Sequence, residues 1–232
     1  MIRRQIDPYF LVSLVAGAAV LATYVGWSSL QGRKRGQRPG LWPSAISDTA
    51  RRAGLSHVYG SEEARYVLRE ISDFRCDACA RAETTVVRTA MFLADAKVIR
   101  LVVYDLPGPG NAVGALVAAT CVATIEPSKY WPYRSLLFAS HDEWMKAYPP
   151  EPSLITLANS IGIDSVAFKA CVEKHGSGLS ADANTLAKTV VAGGLNSTPG
   201  WSLQDSVFLT PEISTRLQLL ERKYLPVDGK SY

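Results

Sequence analysis

The segment from Tyr66 to Tyr104 constrains the fold of this chain more than any other part of its sequence. It reads as a strand over 66–71 (YVLREI), a helix over 80–96 and a buried strand over 98–104 (VIRLVVY). A strand, a helix and a strand in 39 residues make a βαβ unit, whose strands lie parallel and are joined by a right-handed crossover. The sequence therefore predicts an α/β fold.

A long helical block separates this unit from the rest of the predicted sheet. The spacing of apolar residues predicts five helices there, over 112–123, 130–138, 154–161, 165–174 and 180–191. Two short strands over 201–203 and 207–209 then form a hairpin signal. A final helix over 211–225 follows, with Thr210 as the expected N-cap and Pro211 at the first helical position.

A Cys-x-x-Cys pair, Cys76 and Cys79, stands where the first strand gives way to the helix. Unpaired N–H groups and the positive end of the helix dipole stabilise a thiolate at that place. Cys76 is then the expected nucleophile, and Cys79, one helical turn later, can attack a mixed disulfide formed on Cys76. The position therefore predicts a redox dithiol, with two inert buried cysteines as the alternative.

Other uses of such a pair find less support in the sequence. A structural zinc site takes four ligands, usually from two such pairs, but no second pair exists. Haem attachment needs a histidine directly after the second cysteine, where Ala80 stands. The histidines, His57, His141 and His175, are dispersed, so we expect surface or capping roles for them and no metal site.

The stretch ISDFRCDACA resembles the active-site segment of DsbA-like proteins, a branch of the thioredoxin fold. That family interrupts its thioredoxin core with a helical domain and carries a Thr-Pro or similar dipeptide, with a cis proline, before its last hairpin. Here Ser197-Thr198-Pro199 stands in that place, and the stretch over 118–138 resembles the family's helical insert. The resemblance covers about residues 55–225.

This resemblance implies a thioredoxin-like fold over 51–225, with a helical subdomain inserted at about 111–192. It implies a thiol-disulfide oxidoreductase in which Cys76 and Cys79 are catalytic and Thr198 and Pro199 align the substrate backbone. A separate cofactor is not expected, since the disulfide itself carries the two electrons.

The motif departs from the strongly oxidising members, which have a Pro-His pair where this chain has Asp77-Ala78. A carboxylate beside a thiolate should raise the pKa of Cys76, whereas Arg75 should lower it. Since a less stabilised thiolate gives a less oxidising couple, we expect a milder oxidant than those members. The direction of electron flow, as oxidase, reductase or isomerase, stays open.

The other two cysteines, Cys121 and Cys171, are 50 residues apart on predicted helices of the insert. In an oxidising compartment they can form a structural disulfide worth about 3–4 kcal/mol through loop closure. Two buried free thiols are the alternative.

The N-terminus contains a candidate membrane anchor. Residues 9–30 are uncharged, and these 22 residues exceed the roughly 20 that a helix needs to cross a bilayer. Their Ala-rich part, 16–19, is mid-span rather than at a cleavage site, which favours an uncleaved anchor over a signal peptide. We therefore expect a short basic N-terminus over 1–8, a transmembrane helix over 9–30, a juxtamembrane linker over 31–50 and a tail over 226–232.

Charge and cysteine usage disagree on the orientation of this anchor. Residues 1–38 carry a net charge of +5 against +4 for the whole chain, so the remainder offers no basic surface for nucleic acid. More basic residues follow the span than precede it, which favours a cytoplasmic C-terminal part. A dithiol and a structural disulfide instead favour the exported side.

We expect a single-pass protein of a bacterial inner membrane with its thioredoxin-like domain in the periplasm. Its partners would be cysteine-containing exported proteins and a membrane redox partner that resets the dithiol. Two other functions stay open: a non-catalytic structural or assembly subunit of a membrane complex, and a metal chaperone that uses the cysteine pair.

Overall fold

The structure is a computed structural model that describes residues 41–108 and 111–225. The predicted segments 1–8, 9–30 and 226–232, and the linker as far as residue 40, lie outside the described residues. Within the described ranges, no helix is long and apolar enough to span a bilayer.

One mixed sheet contains five strands: β1 (Ser56–Tyr59), β2 (Tyr66–Asp73), β3 (Ile99–Leu106), β4 (Gly200–Leu203) and β5 (Ser206–Phe208). Their order in the sheet is β1-β3-β2-β4-β5. Strands β2 and β3 run parallel, which confirms the predicted βαβ unit, and the other neighbouring pairs run antiparallel. Strand β3 is buried along almost its whole length, as expected of a strand covered on both faces.

The crossover between β2 and β3 is helical throughout. It consists of α2 (Asp77–Ala82), a π-helical turn (Glu83–Val87) and α3 (Arg88–Asp95). Helix α2 begins directly after Cys76, three residues earlier than the predicted start at Ala80. The dithiol is therefore built into the first turn of this crossover.

The folded unit begins before the predicted boundary at residue 51, so the linker prediction was wrong for 41–50. A helix, α1 (Ser44–Arg52), occupies that segment and buries Ile46 and Ala50 completely. The backbone N–H of Trp42 donates to the carbonyl oxygen of Asp205, beside the last hairpin, at 2.8 Å. In the sequence, Ile46 and Ala50 form a single apolar pair four residues apart, which is too short a pattern to predict a helix directly after a Gly- and Pro-rich stretch.

The inserted helical subdomain lies between β3 and β4. Its last helix, α8 (Ser165–Ala192), runs unbroken, so the prediction of two helices over 165–174 and 180–191 was wrong. Glycine weakens a helix by about 1 kcal/mol, which packing can offset. A Cβ on Gly176 would lie 3.6 Å from the Val117 side chain, so this glycine faces a neighbouring helix closely. The insert comprises α4 (Asn111–Ile125), a 3₁₀ turn (Pro127–Lys129), α5 (Tyr130–Ala139), α6 (His141–Lys146), α7 (Glu151–Ser160) and α8 (Ser165–Ala192).

The last described helix is α9 (Thr210–Tyr224), which agrees with the predicted helix, but Thr210 is not its N-cap residue. The carboxylate of Glu212 accepts from the backbone N–H of Leu209 at 2.9 Å. The Thr210 hydroxyl instead accepts from the indole N–H of Trp201 at 3.1 Å, which satisfies that buried ring. This contact ties the start of α9 to β4.

Candidate active site

Cys76 is the N-cap residue of α2, directly beyond the end of β2. Its Sγ accepts a hydrogen bond from the backbone N–H of Cys79 at 3.2 Å. Both cysteines are free in the structure, Cys76 half-buried and Cys79 buried. The first sulfur therefore occupies the helix N-terminus, where a thiolate is best accommodated.

The surroundings of Cys76 lower the pKa of its thiol from 9.0 to about 6. The largest cause is a hydrogen bond from the Cys79 side chain, partly offset by burial. Hydrogen bonds from the Thr198 side chain and from the backbone of Cys79 and Ala78 lower it further. At neutral pH Cys76 is therefore mainly a thiolate.

The net lowering is the direction expected at a helix N-terminus, and the opposing effect expected from Asp77 stays a prediction. The Asp77 side chain is 77% exposed, where water screens its charge. Hydrogen bonds made directly to Sγ outweigh a screened carboxylate.

Cys79 is fully buried, and its pKa is raised well above the ordinary range. Burial is the largest cause, followed by its hydrogen bond to Cys76 and the nearby charge of Glu70. The two sulfurs thus differ in reactivity: Cys76 is ready to attack, whereas Cys79 must lose a proton first.

The loop before β4 brings Thr198 and Pro199 to the dithiol across 122 residues of sequence. The thiol of Cys76 lies 3.3 Å from the Thr198 carbonyl oxygen, to which it can donate. The Thr198–Pro199 peptide bond is cis, and Gly200 directly after it pairs with Ile71 in β2. The substrate-binding role of these two residues stays a prediction.

A buried charge cluster, which sequence reasoning missed, lies beside the dithiol. Arg134 from α5 is completely buried and donates from Nη2 to Glu70 (2.9 Å), from Nε to Glu83 (2.9 Å) and from Nη1 to Asp105 (3.1 Å). Three carboxyl groups face one guanidinium, so the cluster has more acid than base. Burial raises the pKa of Glu70 to about 7 and that of Asp105 to about 6, against the attraction of Arg134.

The signal for this cluster was an acid inside each of two apolar strands, Glu70 in YVLREI and Asp105 after VIRLVVY. Buried charges need partners, but the sequence did not show that Arg134 would supply them. The phenol of Tyr130 also donates to Asp105 at 2.5 Å.

Two of the three histidines are buried, so surface roles were wrong for them. His57 stacks on Tyr130 with ring centroids 3.6 Å apart, and burial lowers its pKa to about 3. His141 is 7% exposed and lies near the active-site loop. Only His175 among the three is exposed.

The remaining predicted site residues, Cys121 and Cys171, lie in α4 and α8 and are bonded to each other. Their disulfide ties together two helices of the insert. Over residues 41–108 and 111–225, no cluster of three or more His, Cys, Asp or Glu side chains could hold a metal ion.

Comparisons with known proteins match this architecture. BdbD from Bacillus subtilis covers 78% of this chain and 97% of its own at 15% identity, with a TM-score of 0.61. The thiol-disulfide exchange protein alpha-DsbA2 from Wolbachia pipientis covers 76% and 96% at 16% identity and a TM-score of 0.57. A thioredoxin-like oxidoreductase from Silicibacter pomeroyi DSS-3 covers 74% and 98% at 22% identity and a TM-score of 0.56.

At these identities the likeness shows a shared fold, the thioredoxin-like α/β fold with a helical insertion. No curated protein sequence matches the chain significantly. A family model described as thioredoxin matches residues 52–220, most of the chain and both halves of the site. The chain therefore belongs to the thioredoxin family.

Proposed function

We propose that this protein is a thiol-disulfide oxidoreductase of the DsbA-like type, with Cys76 as nucleophile and Cys79 as resolving thiol. The observation that carries the proposal is the asymmetry of the two sulfurs. Cys76 lies at a helix N-terminus with its pKa lowered to about 6, whereas the buried Cys79 has a raised pKa. One structural relative is itself described as a thiol-disulfide exchange protein.

In the oxidising direction, the cycle starts from a Cys76–Cys79 disulfide. A substrate thiolate attacks Cys76 Sγ, forms a mixed disulfide and releases Cys79 as a thiolate, which takes up a proton. A second substrate thiolate then attacks the substrate sulfur of the mixed disulfide and releases Cys76 as a thiolate. The substrate gains a disulfide and the protein gains two electrons; the reducing direction reverses these steps.

Glu70 is placed to exchange the proton of Cys79. It is completely buried, its charge is close enough to raise the pKa of Cys79, and its own pKa of about 7 lets it change protonation near neutrality. A carboxylate at Glu70 can accept the Cys79 proton when that thiol attacks a mixed disulfide. Conversely, a protonated Glu70 can return it when Cys79 leaves.

The pKa of Cys76 also bears on the direction of electron flow. A value of about 6 lies between roughly 7 for thioredoxin and roughly 3.5 for DsbA. Because a more stable thiolate makes a couple more oxidising, we propose a potential between about −270 mV and about −120 mV, the values of those two proteins. This agrees with the milder oxidant expected from the sequence, although for a different reason.

We further propose that the anchor over 9–30 holds this domain on the periplasmic side of a bacterial inner membrane, where it acts on cysteines of exported proteins. The Cys121–Cys171 disulfide supports this side, because structural disulfides persist in oxidising compartments. A topology reporter fused after Tyr232 tests it. A reporter active only in the cytoplasm would contradict both the location and the class of substrate.

The activity itself is tested by insulin reduction and by oxidative refolding of a reduced protein. Cys76→Ser should abolish both, and Cys79→Ser should accumulate a mixed disulfide on Cys76, because the resolving thiol is gone. His175→Asn, an exposed change on α8, serves as the folded control. No catalysis by the wild type would favour the assembly-subunit alternative, and unchanged catalysis in Cys76→Ser would refute the role of Cys76.

A further inference from the structure

The corner of the helical insert where α5 meets α6 packs against the active-site loop. Phe138 lies with its ring centroid 5.2 Å from that of Phe74, two residues before Cys76. Trp144 is fully buried and donates from Nε1 to the Leu137 carbonyl at 2.7 Å, which holds the start of α6 against the end of α5. The side chain that begins α6, His141, is thereby fixed in position near the dithiol.

His141 is nearly buried, yet one of its ring nitrogens is unsatisfied. Nδ1 lies 3.2 Å from the Asp142 carboxylate. Nε2 has no hydrogen-bond partner among the described residues, and it lies 3.8 Å from Oδ1 of Asp77. A buried polar atom without a partner is costly, and a proton on Nε2 would give it an acceptor at Asp77 after a shift of less than an ångström.

Three carboxylates face this imidazole from three elements. Asp73 comes from the end of β2, Asp77 from the first turn of α2 and Asp142 from α6 itself. Burial, the largest cause, raises the pKa of Asp73, whereas Arg75 and then the charge of His141 act to lower it. Arg75 is a cation of the same loop. Of the helices that pack against α6, α4 has no charged residue, α7 carries Glu151, and α5 carries Arg134, which is already bonded to three buried carboxyl groups. The surroundings of His141 are therefore predominantly acidic.

We propose that His141 is a positioning residue for the dithiol: when protonated it pairs with Asp77 and offsets the carboxylate beside Cys76, so that the insert makes the redox equilibrium depend on pH. This inference rests on the proposed function in one respect, since it takes Cys76 as the reacting sulfur. The Cys-x-x-Cys motif contains no basic residue of its own, so the cation comes from another element of the fold.

The expected effect is modest because Asp77 is mostly exposed. Ion pairs of this kind change an equilibrium by up to about fivefold. His141→Asn should therefore shift the equilibrium of the dithiol with glutathione about three- to fivefold toward the protein disulfide. The ultraviolet titration of the Cys76 thiolate should move to higher pH at the same time, because an uncompensated carboxylate destabilises the thiolate.

The full-length protein is compared as wild type, His141→Asn, Asp77→Asn and the double variant, with His175→Asn as the exposed-histidine control. The glutathione equilibrium is measured at about pH 6 and about pH 8. We expect a larger His141→Asn shift at the lower pH, because only a protonated ring carries the charge that pairs with Asp77, and less than half of that shift when Asp77 is already replaced.

Equal shifts with and without Asp77 would overturn the proposal, since His141 would then act by another route. So would a lowered melting temperature with no change in either redox measurement, which is the signature of a merely structural residue. Both readouts report on Cys76 whether or not the protein turns over substrate. A pH-dependent shift in a protein that does not reduce insulin would therefore contradict the proposed function but not this inference.

Discussion

Replacing Glu70 by Gln should change how the stability of the protein depends on pH. Glu70 is completely buried, and burial raises its pKa from 4.5 to about 7, although Arg134 attracts its charge. Its Oε1 has no hydrogen-bond partner among the described residues. Gln has nearly the same shape but does not titrate, so the variant removes the protonation change and keeps an oxygen that can accept from Arg134.

The sign and size of the effect follow from the raised pKa. Between pH 4.5 and about 7 the folded state holds a proton on Glu70 that the unfolded chain has released. The corresponding stability is fully present below pH 4.5 and is lost as the pH rises through about 7. One pKa unit corresponds to about 1.4 kcal/mol, so the wild type should lose about 3 kcal/mol relative to Glu70→Gln across this window.

The measurement is urea unfolding of both proteins at several pH values, with Cys76 and Cys79 oxidised so that neither thiol titrates. His57 also titrates, but it is present in both proteins and largely cancels in the difference, whereas Asp105, whose charge acts on Glu70, contributes to it. Glu63→Gln, an exposed substitution nearby, should show a flat difference from wild type. A flat difference for Glu70→Gln as well would mean that the pKa of Glu70 is not raised, so that Glu70 could not hold the proton that it is proposed to return to Cys79.

Two further predictions concern the buried partners of the insert. Arg134→Met should lower the free energy of unfolding by about 3–5 kcal/mol at neutral pH, since it leaves buried carboxyl groups without their cation. Arg88→Met, an exposed change, should lower it little. Urea unfolding distinguishes the two variants, and equal losses would refute the role of the cluster. Replacing Cys121 and Cys171 together by Ser should lower the free energy of unfolding by about 4 kcal/mol, as expected for a loop of this length. The glutathione equilibrium of Cys76 should stay unchanged, and a shifted equilibrium would show that this disulfide influences the active site.

The parts of the fold that were predicted correctly depend on local patterns. The strands over 66–73 and 99–106 have runs of β-branched and apolar residues, and their parallel pairing follows from the helix between them. Strand β1, with four residues, was too short to stand out, and the unbroken α8 depends on packing at Gly176 that composition does not reveal. Local sequence thus predicts elements well where neighbours along the chain determine them.

In the candidate site, too, the features set by neighbours along the chain were predictable and those set by distant residues were not. The place of Cys76 at a helix N-terminus could be read from the strand and helix around it. The approach of Thr198 across 122 residues could not, and only the resemblance to a family suggested it. The lowered pKa of Cys76 agrees with its place at the helix N-terminus, whereas sequence adjacency could not show that the neighbouring Asp77 carboxylate is exposed to water, which weakens its effect on the sulfur.

Two side chains that contact the carboxyl groups around the dithiol, Arg134 and His141, come from the helical insert. Arg134 is bonded to Glu70, whose charge acts on Cys79, and His141 lies against Asp77, beside Cys76. An electrostatic effect depends on distance and burial and not on sequence separation. The insert therefore belongs to the redox site as much as the motif does, and proteins with the same Cys-Asp-Ala-Cys motif but different insert residues should differ in potential.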